Sequence, residues 1–181
     1  KKTVDKIFVN QPLWSINSNI YEVNLRQYAK NSTFKSFEKE IPRLKSMGVD
    51  ILWFMPIHPI GVKQRKGTLG SYYAVKDYKA VSEEFGTMDD FKHMVNYAHS
   101  LGMHVIIDWV ANHTSPDHKW TESNPDFYIK DSLGKFVPPV PDWSDVIDLN
   151  YDNKGMKAAM IDAMKCWLTD VTIDGFRCAV A

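Results

Sequence analysis

Apolar and polar positions along the chain repeat with two alternating spacings, one typical of strands and one typical of helices. Residues 20–25 alternate apolar and polar side chains, which predicts a strand with one buried face. Continuous apolar runs at 51–55 and within 104–110 predict strands buried on both faces, as in a parallel sheet. Residues 173–176 predict a fourth strand.

Three segments with helical spacing lie between these strands. Apolar side chains recur on one face within 34–44, 91–101 and 156–167, so each segment is expected to pack one side against the sheet. The first segment is predicted to be a single helix. Capping residues mark the ends of the first two helices: Thr33 and Gly48 for the first, and Thr87 with Asp90, then Gly102, for the second.

The order β-α-β-α-β-insert-α-β is typical of parallel strands joined by helical crossovers, so the predicted fold class is α/β. An open dinucleotide-binding sheet would carry G-x-G-x-x-G after its first strand, and the nine glycines show no such spacing. Polar residues instead gather where the predicted strands end, which is where a (β/α)8 barrel builds its active site, and a barrel is therefore favoured. These residues are Asn24, Arg26, His58, Asp108, Asn112, His113 and Arg177.

Residues 114–150 interrupt the alternation. This stretch of 37 residues holds five of the nine prolines and six aspartates. Its apolar residues follow neither the strand spacing nor the helical spacing. A loop of that length inside a compact α/β fold is typically functional or forms a small inserted domain. The predicted domains are therefore a partial barrel at 1–113 and 151–181 and an insertion at 114–150.

Charge and composition narrow the class of protein. Lys+Arg and Asp+Glu both number 22, so the net charge is zero and no basic excess points to a nucleic-acid partner. Hydrophobic residues at 44% and aromatic residues at 13% are typical of a packed globular domain. No apolar run approaches the roughly 18 residues of a membrane span. Residues 1–5 hold no apolar signal-peptide core, and the two cysteines make no disulfide framework. These features do not determine the cellular compartment.

Candidate chemistry lies first at the ends of the third and fourth strands. Asp108, Asn112 and His113 follow a buried strand and precede the long insert, which favours a functional role over turn capping. Arg177 is expected to pair with Asp108 on the neighbouring strand, although a structural ion pair explains that pair equally well. Cys178 has no neighbouring base to activate it, so a buried, inert thiol is expected.

A tyrosine-rich loop, residues 70–78, follows the second strand. Tyr73 is predicted to stack against a sugar ring, and Tyr78 is predicted to be a buried anchor of the loop. The six histidines are scattered and the cysteines lack ligand spacing, which argues against zinc.

Taken together, these motifs resemble the α-amylase family, glycoside hydrolase family 13, over essentially the whole chain. The resemblance implies the first four strands of a TIM (β/α)8 barrel, domain A, with a short domain B inserted after strand 3. It also implies an enzyme that acts on α-glucans such as starch and maltooligosaccharides, with retention of configuration. The segments that carry it are 70–78 (GSYYAVKDY), 85–87 (FGT), 108–113 (DWVANH), 145–150 (DVIDLN) and 175–178 (GFRC).

The resemblance also implies roles for single residues. Tyr73, with Tyr72 as the alternative, resembles the platform under the sugar at the cleavage site. His113 resembles the histidine that hydrogen-bonds the primary hydroxyl of that sugar. Arg177 resembles the arginine that orients the nucleophile, and Asp108 resembles the carboxylate that supports it.

A calcium ion follows from the same resemblance, and the cellular location is a separate expectation. Asn112 resembles the calcium ligand that joins barrel and insert, and Asp148 is a second candidate ligand, since oxygen donors suit Ca²⁺. An exported location, whether periplasmic, cell-surface or secreted, is favoured over a cytoplasmic one.

The chain departs from the family at one decisive position. Retaining glycosidases need two carboxyl groups about 5 Å apart, a nucleophile and a general acid/base. The family nucleophile is an Asp two residues after the signature arginine, and Ala179 occupies that position here. The acid/base Glu is expected after a fifth strand, beyond this sequence. As written, this chain is expected to be inactive.

Two interpretations of Ala179 compete. In the first, an Asp-to-Ala substitution inactivates an enzyme that still binds substrate, and the intact residues Arg177, Asp108, His113 and Tyr73 favour it. In the second, the protein is a non-catalytic relative that binds glucan or another protein. Because four parallel strands cannot close a barrel of about 250 residues, the second barrel half, on the same or a separate chain, is an expected partner.

Overall fold

The computed structural model describes residues 11–180. The expectation about a signal-peptide core in residues 1–5 lies outside them. None of the helices within 11–180 is both long and apolar enough to cross a membrane. The helices and strands, in chain order, are β1 (Ile20–Val23), α1 (Leu25–Tyr28), α2 (Phe34–Glu38), α3 (Ile41–Ser46), β2 (Ile51–Phe54), α4 (Met88–Ser100), β3 (His104–Val110), β4 (His113–Thr114), α5 (Trp120–Ser123), β5 (Ile147–Asp148), α6 (Lys154–Thr169) and β6 (Gly175–Ala179).

The sheet confirms the predicted parallel arrangement. Its four strands lie in the order β1-β2-β3-β6, and each pair of neighbours is parallel. Within this sheet, each strand therefore lies beside the sheet strand that precedes it in the chain, and the strand order does not reverse at β1. A doubly wound sheet would require such a reversal, whereas sequential order is that of a (β/α)8 barrel.

The first predicted helix is wrong in one respect, because the segment forms two helices. Helix α2 begins at the predicted cap, where the Thr33 hydroxyl accepts from the Ser36 N–H, and it ends at Glu38. Pro42 lies in the first turn of α3. It has no N–H to donate to the Glu38 carbonyl, and its ring would clash there, so one continuous helix is excluded.

The fourth strand lies further along the chain than predicted. The Ile173 N–H donates to the Trp167 carbonyl, where the chain leaves α6, and is therefore not available to the sheet. The ladder begins at Gly175, opposite Ile106, and runs to Ala179, opposite Val110. The strand is longer than its apolar pattern because β3 offers a partner along its whole second half.

The core lies between the sheet and its helices. Helix α4 starts at the predicted Thr87 capping box and α6 spans the predicted range, so both crossovers are confirmed. Trp109 on β3 and Trp167 on α6 are fully buried, and the Trp167 indole N–H donates to the Tyr78 carbonyl at 2.6 Å. These contacts fix the loop before α4 against the last helix.

The insert has more regular structure than its sequence pattern indicated. Strands β4 and β5 form a two-stranded antiparallel sheet in which His113 is the register partner of Asp148. Short helix α5 lies between them, and Tyr128 bridges to Leu149. The ladder closes the base of the insert directly after β3, while the exact domain boundaries stay a prediction.

Candidate active site

A cleft of about 660 Å³ opens at the carboxyl ends of the strands. Its walls come from the loop after β2, from the insert and from the end of β6. In a parallel β/α sheet this edge carries the loops, and in barrels it carries the active site. The lining residues are Lys66, Gly70, Ser71, Tyr73, His113, Trp143, Asp145, Val146, Arg177, Ala179 and Val180.

Asp108 organises the floor of this cleft. Its side chain is completely buried at the end of β3, and both carboxylate oxygens are used. Arg177 Nη1 donates to Oδ1 at 3.2 Å, and the Tyr73 hydroxyl donates to Oδ2 at 3.0 Å. Burial raises the pKa of the Asp108 carboxyl above its ordinary value, and these two hydrogen bonds act in the opposite direction. Asp108 therefore positions its two partners.

Tyr73 reaches Asp108 from the loop after β2. The loop is fastened by an antiparallel bridge between Ile60 and Val75 and turns at Gly70, whose φ is +74°. A Cβ on Gly70 would lie 2.7 Å from the Ile60 side chain, so this close turn needs glycine. Burial, and then the adjacent Asp108 carboxylate, raise the pKa of Tyr73 to about 12, so the phenol stays a hydrogen-bond donor.

Tyr78 holds the backbone of His113 in place. The Tyr78 hydroxyl donates to the Val110 carbonyl at 2.6 Å and is 3.1 Å from the His113 carbonyl, which confirms Tyr78 as the buried anchor of the loop. His113 lines the cleft, although only 3% of the residue is exposed. Burial lowers its pKa, which favours the neutral ring that both donates and accepts a hydrogen bond.

Ala179 lies in the same cleft as Arg177. The two residues are two apart on β6, so their side chains point to the same face of the sheet. Ala179 is 5% exposed and its methyl group lines the cleft. Among the described lining residues, the one carboxylate belongs to Asp145, and its Oδ1 lies 3.4 Å from Lys66 Nζ. The described residues thus offer no free nucleophilic carboxylate in the cleft.

Several predicted residues lie elsewhere. Tyr72 is outside the cleft lining: Arg26 lies 4.3 Å above its ring and its hydroxyl donates to Asn24 Oδ1. His58 is buried in the core against Trp109. The expectation of a buried Cys178 thiol is wrong, because β6 is an edge strand of the described sheet and Cys178 is exposed on it.

The sequence analysis assigned no role to three polar or aromatic residues of the cleft, Lys66, Trp143 and Asp145. Lys66 lies in the loop after β2, and the other two lie in the aperiodic insert. No periodicity places such residues, although Trp143 could have been noticed as an aromatic residue just before the 145–150 motif.

The two calcium candidates come near each other without forming a metal site. Asp148 is the register partner of His113, next to Asn112, and Asn112 Nδ2 is 3.1 Å from His113 Nδ1. Within residues 11–180 no group of three or more His, Cys, Asp or Glu side chains is arranged to hold a metal ion. Ca²⁺ takes about six to eight oxygen ligands. Asn112 and Asp148 alone supply too few of them, so calcium stays a prediction.

The fold and the site together define a class of protein, the β/α-barrel proteins. The parallel strands are in barrel order, and an Arg–Asp pair, a tyrosine on the same carboxylate and a cleft histidine lie at the carboxyl edge, where β/α barrels carry their active sites. The chain belongs to the α-amylase family: the model of the α-amylase catalytic domain matches residues 30–136, more than half of the chain.

Solved structures and curated relatives agree with this family. An α-amylase from Lactobacillus plantarum is 44% identical with a TM-score of 0.88, over 91% of this chain and 39% of that one. A maltogenic α-amylase from Thermotoga neapolitana is 42% identical with a TM-score of 0.84, over 90% of this chain and 38% of that one. A trehalose synthase from Pimelobacter is 31% identical over 92% of this chain. The chain spans 34% of that relative's length.

Proposed function

We propose that this chain builds the first half of the active site of a retaining α-glucan glycosidase, and that Ala179 leaves the site able to bind α-glucan without cleaving it. The second half of the barrel, on the same or a separate chain, would supply the general acid/base. We call the assembly of both halves the complete-barrel protein. The relatives that support the proposal are an α-amylase, a maltogenic α-amylase and a trehalose synthase.

One observation carries this proposal. Ala179 lines the cleft two residues after Arg177, while the Arg177–Asp108–Tyr73 hydrogen bonds are complete. In this arrangement Arg177 would orient a carboxylate at position 179, Tyr73 would lie under the sugar ring and His113 would bind its hydroxyl. Of the groups expected in this half of the site, only the attacking carboxylate is missing. A methyl group cannot form the covalent glycosyl intermediate of a retaining reaction.

The test restores that group. Ala179→Asp in the complete-barrel protein is expected to release reducing sugar from maltoheptaose, at a rate several orders of magnitude above the Ala179 form. Ala179→Asn is the matched control, because it has the same shape and no nucleophilic carboxylate. If the Asp and Asn variants release sugar at the same rate, the proposal is wrong. Ala179→Asp in residues 1–181 alone should stay inactive, since the general acid/base is absent.

A second candidate function is non-catalytic binding of a glucan or of another protein, and Ala179 itself favours it. Calorimetric titration of the Ala179 form with maltoheptaose distinguishes the two partners. Binding that Tyr73→Ala weakens supports a glucan site, whereas absence of binding favours a protein partner.

Two further expectations belong to this proposal. A polymeric glucan outside the cell is too large to enter it, so cleavage of such a substrate would require an exported location, which cell fractionation tests. For calcium, a rise in Tm on adding Ca²⁺ that both Asp148→Asn and Asn112→Ala abolish would assign Asn112 and Asp148 to the ion.

A further inference from the structure

The insert contributes an aromatic side chain, that of Trp143, to the cleft. Trp143 is half-buried, and its indole meets the His113 ring edge-to-face, with 5.5 Å between centroids and 69° between planes. The backbone N–H of Trp143 donates to the Val140 carbonyl at 2.9 Å, and the backbone carbonyl of Trp143 accepts from the Val146 N–H at 3.2 Å. The backbone is thus fixed on both sides, and the exposed part of the indole lines the cleft.

Lys66 fastens this part of the insert to the loop after β2. Its ammonium donates to the Asp142 carbonyl at 2.6 Å and lies 3.4 Å from the Asp145 carboxylate, so it contacts the chain on both sides of Trp143. The Lys66 side chain is 51% exposed, so solvent screens its ion pair and the pair adds little to the stability of the fold. Its main effect is therefore to hold the segment in position.

We propose that Trp143 contacts substrate, stacking on a glucose unit of a bound α-glucan, and that Lys66 is a positioning residue that holds it there. This inference rests on the proposed function. An indole offers a flat apolar face and a polar N–H, which suits the C–H face and hydroxyls of a pyranose. A cleft of about 660 Å³ falls in the range that encloses drug-sized ligands, larger than one sugar unit, so Tyr73 and Trp143 have room for separate units.

The first experiment removes the aromatic face. The Ala179 form of the complete-barrel protein is titrated with maltoheptaose by calorimetry. Trp143→Ala is expected to raise Kd about tenfold and Trp143→Phe about threefold, the sizes expected for losing all or part of one aromatic contact. Phe136→Ala is the matched control, since Phe136 is an insert aromatic that packs on Tyr128 outside the cleft lining. It should leave Kd unchanged.

The second experiment separates positioning from stability. Lys66→Met is expected to raise Kd about fivefold, within the range for one lost side-chain contact, while Tm stays unchanged. Lys66→Arg should restore Kd, because a guanidinium can donate to both Asp142 and Asp145. Lys130→Met is the control, since Lys130 pairs with Asp126 elsewhere in the insert. Failure of Lys66→Arg to restore binding would overturn the positioning role.

The outcomes distinguish a failure of this inference from a failure of the proposed function. If the parent protein does not bind maltoheptaose, the proposed function is wrong and the inference falls with it. If the parent binds and Trp143→Ala binds equally well, only the role of Trp143 is overturned.

Discussion

Asp108 and Arg177 are register partners on the neighbouring strands β3 and β6, and their side chains meet in a 3.2 Å ion pair at the floor of the cleft. The carboxylate is fully buried, whereas 45% of the Arg177 side chain is exposed. The guanidinium also lies 4.9 Å above the Trp53 ring. The sheet therefore presents an arginine toward the cleft from a fixed base, as orientation of a second carboxylate requires.

Removing Arg177 should destabilise the fold, because the buried Asp108 carboxylate would keep only the Tyr73 hydroxyl as a partner. We expect Arg177→Met to lower the free energy of unfolding by about 2 kcal/mol, less than for a fully buried pair because the arginine is half-exposed. Urea denaturation of the complete-barrel protein measures it. Arg43→Met, which breaks the exposed Arg43–Glu40 pair and the hydrogen bond to the Tyr28 hydroxyl, should cost much less. Equal costs would contradict the assignment.

Tyr73 has two separable features, its ring and its hydroxyl. Tyr73→Phe keeps the ring and removes the 3.0 Å hydrogen bond to Asp108, so maltoheptaose should bind the Ala179 form with a Kd within about threefold of the parent. Tyr73→Ala removes the ring as well and should raise Kd by tenfold or more, on the scale of about 1.4 kcal/mol per tenfold. Calorimetry measures both. A Phe variant as weak as the Ala variant would show that the hydroxyl matters more than the stacking face.

The core histidine His58 should make stability depend on pH. Burial lowers its pKa to about 4, and its Nδ1 lies 3.1 Å from the Ala80 carbonyl. The unfolded chain binds a proton at His58 below pH about 6.5, whereas the folded chain binds that proton only below about pH 4. The contribution of His58 to the free energy of unfolding is therefore fully present above pH about 6.5, and about 3 kcal/mol of it is lost as the pH drops to 4.

The measurement is Tm between pH 7 and pH 4, compared with His58→Asn. The amide keeps a donor for the Ala80 carbonyl and does not titrate, so the variant should lose less Tm on acidification than the parent. His118, whose pKa burial lowers to about 3, contributes in the same direction in both proteins. Parallel Tm curves for the parent and His58→Asn would contradict the role of His58.

Two glycines offer a matched test of backbone strain. Gly48 ends α3 with φ at +87° and has no atom within 4 Å of the place where a Cβ would be. Gly48→Ala should therefore cost about 1 kcal/mol through conformation alone. A Cβ on Gly175 would meet Ile106 at an ordinary 3.6 Å, and the backbone there is not left-handed, so Gly175→Ala should be close to neutral. Thermal denaturation compares them.

Much of the site followed from short segments whose pattern depends only on local chemistry. Asp108 and Arg177 each end a strand, and parallel strands bring their carboxyl ends to one edge, so their pairing was predictable. The Thr87 cap was predictable because a hydroxyl and a carboxylate three residues apart satisfy free helix N–H groups. The split between α2 and α3 could have been predicted as well, since Pro42 stands within the proposed helix.

The insert could not be predicted in the same way. Its two-residue strands carry no measurable period, and Trp143 and Asp145 reach the cleft only because the insert folds back over β3. Lys66 looks like any surface lysine in the sequence. Its contacts with Asp142 and Asp145 join segments that are more than seventy residues apart.

By itself, the sequence determined the alternation of strands and helices, the family, and the absence of a carboxylate at position 179. Those properties depend on local periodicity and on residue identity. Only the tertiary structure decided which tyrosine faces the cleft, that His58 belongs to the core, and that Trp143 and Lys66 form one wall. These features depend on contacts between distant segments, and such contacts exist only once the sheet and the insert have packed against each other.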